Sequence, residues 1–264
     1  AGKGVSDIDR QTVLAAIGGD CLRVAAEGLD TGDAQVRRET VSVLAERGEE
    51  AKFSLGKILA LAKSDELEVR MAALTALPAL APSDKRVRRM VMASLTDKDI
   101  AVARAGISAS LRTRFSTRES RRAGSLLLEL LEARGAAFRA VPGAEKDAPP
   151  SSDFVLALAK YGKHHPEELL DLLFHQNESV AVQAVEAVLV AGISVKGIKD
   201  GLLETIGREE RPDLLWFALR TDIPKEEIFA HLKDAAVVSR FQELSMVRAL
   251  SISGGQTVAA IPQL

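Results

Sequence analysis

Apolar residues recur along the chain at helical spacing, and the whole pattern repeats. Val36, Val69 and Val102 stand 33 residues apart, and each belongs to a stretch whose apolar positions share one face of a helix. A further copy follows in the stretch NESVAVQAVEAVLVAG at 177–192. Self-similarity at a period of this length is typical of stacked helical repeats, so the pattern predicts a chain of helix pairs.

A second apolar segment follows each of these stretches and predicts the partner helix of each pair. First helices are predicted near 8–17, 33–47, 66–80, 98–113, 152–162, 178–191, 210–220 and 237–251. Second helices are predicted near 20–29, 50–62, 84–95, 117–134, 166–176, 195–207 and 224–234. Ser83 and the capping box of Ser116 with Glu119 are the predicted N-terminal caps of two second helices. Pro78 is expected to kink or end its helix.

The stretch DELEVRMAALTAL at 65–77 resembles HEAT repeats, particularly the short bacterial, phycocyanobilin-lyase-like kind. The resemblance rests on Asp-x-x-x-Val-Arg followed by Ala-rich apolar periodicity. It is specific over 33–111 and good at 177–192. It implies that the valine is buried and that acidic residues and arginines form a ladder between neighbouring repeats.

Carried onto this chain, the resemblance assigns a structural repeat ladder to four residues: Asp33, Arg37, Asp65 and Arg70. Alanine stands where the arginine is expected in two other copies, at Ala103 and Ala181. We expect the ladder to be interrupted at both positions.

The predicted fold is therefore all-α. It is a right-handed α-solenoid, or superhelix, of about seven to eight stacked antiparallel helix pairs. Residues 1–134 are predicted to form regular N-terminal helical repeats, and 153–264 more divergent repeats that continue the same solenoid. The long inter-repeat loop between them, at 135–152, is either a tolerated insertion or a protruding contact loop.

Composition agrees with close helix packing, because hydrophobic residues make up 47% of the chain and aromatic residues only 4%. A net charge of −2 gives no global indication of nucleic acid or an anionic membrane as partner. The most apolar run, at 180–195, is too short to span a bilayer. Cys21 is the single cysteine and is compatible with a reducing compartment. We therefore expect a soluble, cytoplasmic protein.

The residues do not predict catalysis, a metal site or a cofactor. The four histidines, which have no carboxylates at metal-ligand spacing, are His164, His165, His175 and His231. Cys21 has no base beside it in the sequence, so a buried structural thiol is the better interpretation. Phosphate-binding and nucleophile-elbow motifs are absent from the sequence. The chain is predicted to be no enzyme.

One segment is strongly basic. Residues 83–122 hold eleven Lys or Arg and four Asp or Glu, so they carry +7 while the remainder carries −9. Within it, SDKRVRRM at 83–90 and STRESRRA at 116–123 look like copies 33 residues apart. A helical wheel places their cations opposite the apolar positions, although solvated faces are often basic without a function. The predicted partner-binding residues are Lys52, Lys85, Arg88, Arg89, Arg118, Arg121 and Arg122.

The leading hypothesis is a non-enzymatic helical-repeat scaffold. Its basic second-helix surface would bind an acidic protein or peptide, or a phosphorylated segment. The resemblance leaves two alternatives open: a nucleic-acid-binding protein similar to HEAT-like DNA glycosylases, and a lyase or chaperone for a tetrapyrrole cofactor. A spacer or dimerisation domain is the remaining alternative.

Overall fold

The computed structural model describes residues 19–139, 153–208 and 212–231, and all of their regular secondary structure is helical. The all-α prediction is confirmed for this part of the chain. The helices predicted near 8–17 and 237–251 lie outside the described residues, as does 140–152 of the predicted loop.

The helices before residue 140 follow the predicted pairs closely. Their bounds are α1 (Gly19–Ala25), α2 (Ala34–Arg47), α3 (Leu55–Leu61), α4 (Leu67–Leu80), α5 (Lys85–Ser94), α6 (Ile100–Arg112) and α7 (Thr117–Arg139). A short 3₁₀ segment at Ala26–Asp30 follows α1, and another at Gly48–Ser54 precedes α3. The predicted second helix at 50–62 therefore begins as a 3₁₀ segment and becomes α-helical only at Leu55.

The later helices also fall where apolar periodicity predicts them. Their bounds are α8 (Asp153–Gly162), α9 (Pro166–Asp171), α10 (Glu178–Ala191), α11 (Lys199–Arg208), α12 (Pro212–Ala218) and α13 (Lys225–His231). The 3₁₀ segments Leu172–Phe174 and Lys196–Ile198 adjoin α9 and α11.

The helices divide into two compact units, which meet in sequence between Glu119 and Ser120, inside α7. The predicted division into 1–134, 135–152 and 153–264 stays a prediction. The helical backbone of α7 is interrupted at Arg134, where φ is −142° and ψ is 15°.

In the first unit, α2 packs against α4 and α4 packs against α6, while α3 and α5 pack against α4 and α6 respectively. Fully buried apolar side chains such as Leu44, Ile58 and Leu77 form the shared core. The N-cap positions of α2, α4 and α6 are Asp33, Glu66 and Asp99, which preserves the 33-residue period. Burial of one face of each helix is what the apolar spacing requires.

The end of α4 shows the local effect of a proline. Pro78 lies inside the helix, which ends two residues later at Leu80. Proline has no N–H to donate to the carbonyl of the preceding turn. Three residues before Pro78, the Thr75 carbonyl accepts from the Arg112 guanidinium at 2.8 Å, which ties α6 to this end of α4.

In the second unit, α10 packs against α8 and α12, and α11 packs against α12 and α13. Gln183 of α10 is buried, and its side-chain amide donates to the carbonyls of Gly135 at 2.7 Å and Ser179 at 2.8 Å. Gly192 ends α10 in the left-handed conformation, with φ at 64°, which glycine adopts without a steric penalty.

Candidate functional site

The first turn of α5 is organised by Asp84, not by the predicted cap Ser83. The Asp84 carboxylate accepts from the Arg86 N–H at 2.7 Å and from the Arg86 guanidinium at 3.1 and 3.2 Å. These bonds, led by the one to the Arg86 side chain, lower the pKa of Asp84. Lys85 is therefore the first residue of the helix, and Arg86 is neutralised locally.

The cations of α5 differ in exposure. Lys85 and Arg89 are exposed, whereas Val87 and Val91 are fully buried. Arg88 is only 23% exposed in its side chain and lies about 60° from Val91 around the helix. The expectation that Arg88 lies opposite the core is therefore wrong, because it occupies the border of the buried face.

Arg88 forms an ion pair with the carboxylate of Glu119. Its Nε lies 3.0 Å from Oε2 of Glu119, and its guanidinium also donates to the Ser83 carbonyl. This pair leaves Arg88 less available to an external anion than Lys85 and Arg89 are.

The predicted capping box at the start of α7 is confirmed. The Glu119 carboxylate accepts from the Ser116 N–H at 2.9 Å and from Ser116 Oγ at 2.8 Å, and the Glu119 N–H donates to Ser116 Oγ at 3.4 Å. Burial by itself raises the pKa of Glu119. The Ser116 bonds and the Arg88 guanidinium outweigh that effect, so the pKa lies below its usual value.

The cations of α7 all point away from its buried stripe. Arg118, Arg121 and Arg122 are exposed. The fully buried positions of α7 are Ala123, Leu127 and Leu131, and those of α5 and its end are Val87, Val91 and Leu95. The two stripes have the same internal spacing but are offset by 36 residues, whereas the two basic stretches look alike at an offset of 33. Their likeness is therefore not a strict repeat of helix positions.

Lys52 differs from the other predicted cations in its backbone setting. It is exposed and lies in the 3₁₀ segment Gly48–Ser54, before α3 begins. By analogy with Lys85, Lys52 was expected in the first turn of an α-helix. In the structure it precedes that helix. The nearby Lys57 lies in α3 and pairs with Asp30 at 2.6 Å.

Arg37 joins α2 to the start of α4. Its Nη2 contacts both carboxylate oxygens of Glu66, at 2.6 and 2.5 Å, and its Nη1 donates to the Thr31 carbonyl at 3.1 Å. Asp33 caps α2 by accepting from the N–H groups of Gln35 and Val36. The carboxylate that Arg37 contacts thus belongs to Glu66 rather than to the neighbouring Asp65, which is exposed.

Arg70 repeats half of this arrangement. Its Nη1 donates to the Ser64 carbonyl at 2.6 Å, six residues upstream, just as Arg37 donates to Thr31. Ala103 and Ala181 are fully buried and have no side chain that could make this bond. The implied burial of the valine holds at Val69, Val102 and Val180, but Val36 is 40% exposed.

The second unit contains a set of hydrogen bonds at His165 that the sequence did not predict. His165 Nε2 lies 2.9 Å from the Arg121 carbonyl and 3.2 Å from Ser125 Oγ, and its Nδ1 lies 3.3 Å from Glu168. Gly124 allows the approach, since a Cβ there would stand 2.7 Å from the Tyr161 carbonyl. Glycine at 124 and the polar run at 163–165 were the available signals.

An open groove of about 460 Å³ lies among α2, α4 and α6. Small side chains such as Ala45 and Ala72 form its floor, and Arg38 and Arg112 contribute to its lining. Both arginines already have partners, Arg38 with Gln35 and Arg112 with Thr75.

Among the residues that the structure describes, no group of three His, Cys, Asp or Glu side chains is arranged to hold a metal ion. None of the helices in those ranges combines the length and hydropathy that crossing a membrane requires.

No protein-family profile and no curated protein matches the chain. Among solved structures, an engineered protein from a structural genomics consortium is similar at 17% identity with a TM-score of 0.43. The match covers 80% of this chain and 97% of the engineered protein.

Proposed function

We propose that the chain is a non-enzymatic helical-repeat scaffold that binds an acidic protein or peptide through cations exposed on its second helices. One observation carries this proposal. Six of the seven predicted partner-binding cations are exposed and have no ion pair among the described residues: Lys52, Lys85, Arg89, Arg118, Arg121 and Arg122.

The contrast with other cations of the chain supports the proposal. Arg37, Lys57, Arg86 and Lys199 each have a carboxylate within 3.1 Å. Unpaired like charges on one helix repel each other, so they cost stability unless an external anion compensates them. Bidentate contacts between guanidinium groups and carboxylates are strong and suit an acidic partner.

We also propose that the helices continue as a right-handed α-solenoid of the HEAT type, with about seven to eight helix pairs. Support comes from the 33-residue spacing of the N-cap positions Asp33, Glu66 and Asp99. The matching bonds of Arg37 and Arg70 point the same way. Such arrays present successive helices as extended binding surfaces.

The test is binding of a fluorescent Asp-rich peptide, measured by anisotropy. Reversal of the exposed cations in the double variants Lys85→Glu/Arg89→Glu and Arg121→Glu/Arg122→Glu is expected to weaken binding by at least about tenfold each. The matched control Lys63→Glu/Lys196→Glu reverses two other exposed lysines and should bind nearly as the wild type does.

Equal affinity in all three double variants would contradict the proposal. A fluorescent DNA duplex of scrambled sequence serves as the second probe. Preference for the duplex over the peptide at equal salt would favour a nucleic-acid partner instead.

A further inference from the structure

The loop between α8 and α9 is held against α7 by His165. Its ring bonds to the Arg121 carbonyl and to Ser125 Oγ on one side and to Glu168 of α9 on the other. The close approach at Gly124 packs α7 against the Tyr161 carbonyl at the end of α8. Lys163 and His164, which directly precede His165, are therefore fixed beside the turn of α7 that carries Arg121.

The groups that act on His164 are all cationic or protonatable. They are Lys163 and His165 in its own loop and Arg121 on α7. Glu168 of α9 is engaged by His165, and Glu167 is exposed in the first turn of that helix. Burial first, and then these positive neighbours, lower the pKa of His164 below its usual value. Lys163 is exposed and His164 half-buried, so both can reach a ligand.

We propose that Arg121, Lys163 and His164 form a carboxylate-binding site within the acidic-partner surface, and that filling it is coupled to proton uptake at His164. The inference rests on the proposed function. It adds two loop residues, Lys163 and His164, to the binding surface and makes binding depend on pH. Guanidinium, ammonium and imidazolium groups supply the donors that an Asp or Glu side chain accepts from.

The sign of the coupling follows from the charges. In the free protein, burial and then the positive neighbours disfavour protonation of His164 and lower its pKa. A bound carboxylate favours the imidazolium and raises the pKa of His164 in the complex. Affinity for an acidic peptide therefore rises as pH falls through the range near and below 6.5, by about tenfold for each unit of pKa difference between complex and free protein.

The experiment titrates the full chain with the fluorescent Asp-rich peptide between about pH 7.5 and pH 5.5 at constant ionic strength. Aspartate has a pKa of about 3.9, so the probe stays ionised across this range. Wild-type affinity is expected to rise about three- to tenfold towards the lower pH. His164→Gln should abolish that rise, and Lys163→Gln should weaken binding at every pH.

The matched control is His175→Gln, since the His175 ring accepts from the Asn177 N–H and is not one of the three proposed residues. It should keep the wild-type pH dependence. NMR titration of the His164 ring with and without peptide gives a second readout, in which the pKa should increase on binding.

Three outcomes separate this inference from the proposed function. Peptide binding without pH dependence, or with a pH dependence that His164→Gln retains, would overturn the inference alone. Failure to bind the peptide at any pH would overturn both. Proton-linked binding of a DNA duplex but not of the peptide would contradict the carboxylate as the ligand.

Discussion

Arg88 and Arg89 are neighbours in sequence, but they differ in burial and in their contacts. The Arg88 side chain is 23% exposed and contacts Glu119 and Ser83, whereas Arg89 is exposed and forms no ion pair among the described residues. A partly buried pair with several hydrogen bonds stabilises the fold more than an exposed charge does. We therefore expect Arg88 to contribute to stability, and Arg89 to contribute to the proposed binding of an acidic partner.

This difference is measurable by urea denaturation. Arg88→Ala is expected to lower the free energy of unfolding by about 1 kcal/mol, because Glu119 and the Ser83 carbonyl lose a donor. Arg89→Ala should change it by less than about 0.5 kcal/mol and weaken peptide binding instead. Equal losses of stability in the two variants would contradict the assignment.

Glu119 also predicts a pH dependence of stability. Its pKa is lower in the folded chain than the usual 4.5, so its contribution is present above that value and is lost as pH falls through the folded pKa. Glu119→Gln should lose less stability than the wild type between about pH 5 and pH 3. Urea titrations of both proteins across that range test it, and parallel losses would show that the carboxylate is not responsible.

At the scale of helices, α5 and α6 approach each other closely at Gly106, which has no side chain. A Cβ at Gly106 would lie 2.1 Å from Ser94 Oγ and 3.1 Å from the Ser94 carbonyl carbon. Ser94 is itself buried and bonds to the Val91 carbonyl, so it has little freedom to move. The contact thus requires glycine for space.

Gly106→Ala is expected to lower the free energy of unfolding by about 1–3 kcal/mol, since the helices must separate. The matched control is Gly56→Ala in α3, where a Cβ would meet no atom within 4 Å. That variant should be neutral or more stable by up to about 1 kcal/mol, because alanine favours the helix. Thermal or urea unfolding of both variants measures the difference. A Gly56→Ala variant as destabilised as Gly106→Ala would contradict the explanation that crowding against Ser94 is the cause.

Helix positions could be predicted because apolar periodicity is local. The bounds of α2 and α4 fall within one residue of the predicted 33–47 and 66–80. Cap identity was less accessible, since Ser83 and Asp84 are both good caps and only the backbone geometry selects Asp84. The start of α3 was missed because a 3₁₀ turn and an α-helix share similar apolar spacing over a few residues.

The candidate site was harder to predict, because its contacts join distant parts of the chain. Arg88 meets a carboxylate 31 residues away, and His165 meets Ser125 and Arg121 at separations of 40 and 44 residues. Sequence spacing along one helix has no information on such partners. Six of the seven predicted cations are exposed, but the helical wheel could not separate Arg88 from them.

For the molecule as a whole, charge is distributed unevenly along the chain. Residues 83–122 carry +7 within a protein of net charge −2. Attraction between exposed charges is screened over about 10 Å at 0.1 M salt. Binding that depends on the exposed cations should therefore be sensitive to ionic strength.

We expect wild-type affinity for the Asp-rich peptide to fall severalfold between about 50 and 200 mM salt. Lys85→Gln/Arg89→Gln should reduce the slope of log affinity against log salt. Lys57→Gln/Lys199→Gln removes the same number of charges from lysines that already pair with Asp30 and Glu227, and should leave the slope unchanged. Anisotropy titrations at several salt concentrations decide this, and equal slopes in both variants would contradict it.

The bonds of Arg37 to Thr31 and of Arg70 to Ser64 each join an arginine to a carbonyl six residues upstream, across the start of a 33-residue block. Removal of residues 34–66 would place Arg70 six positions after Thr31, so its guanidinium would find an equivalent carbonyl. Asp33, which caps its helix with its side chain, would then precede Leu67 in place of Glu66, which does not. We therefore expect a chain that lacks 34–66 to keep the arginine-to-carbonyl bond and to gain a side-chain cap at the new junction.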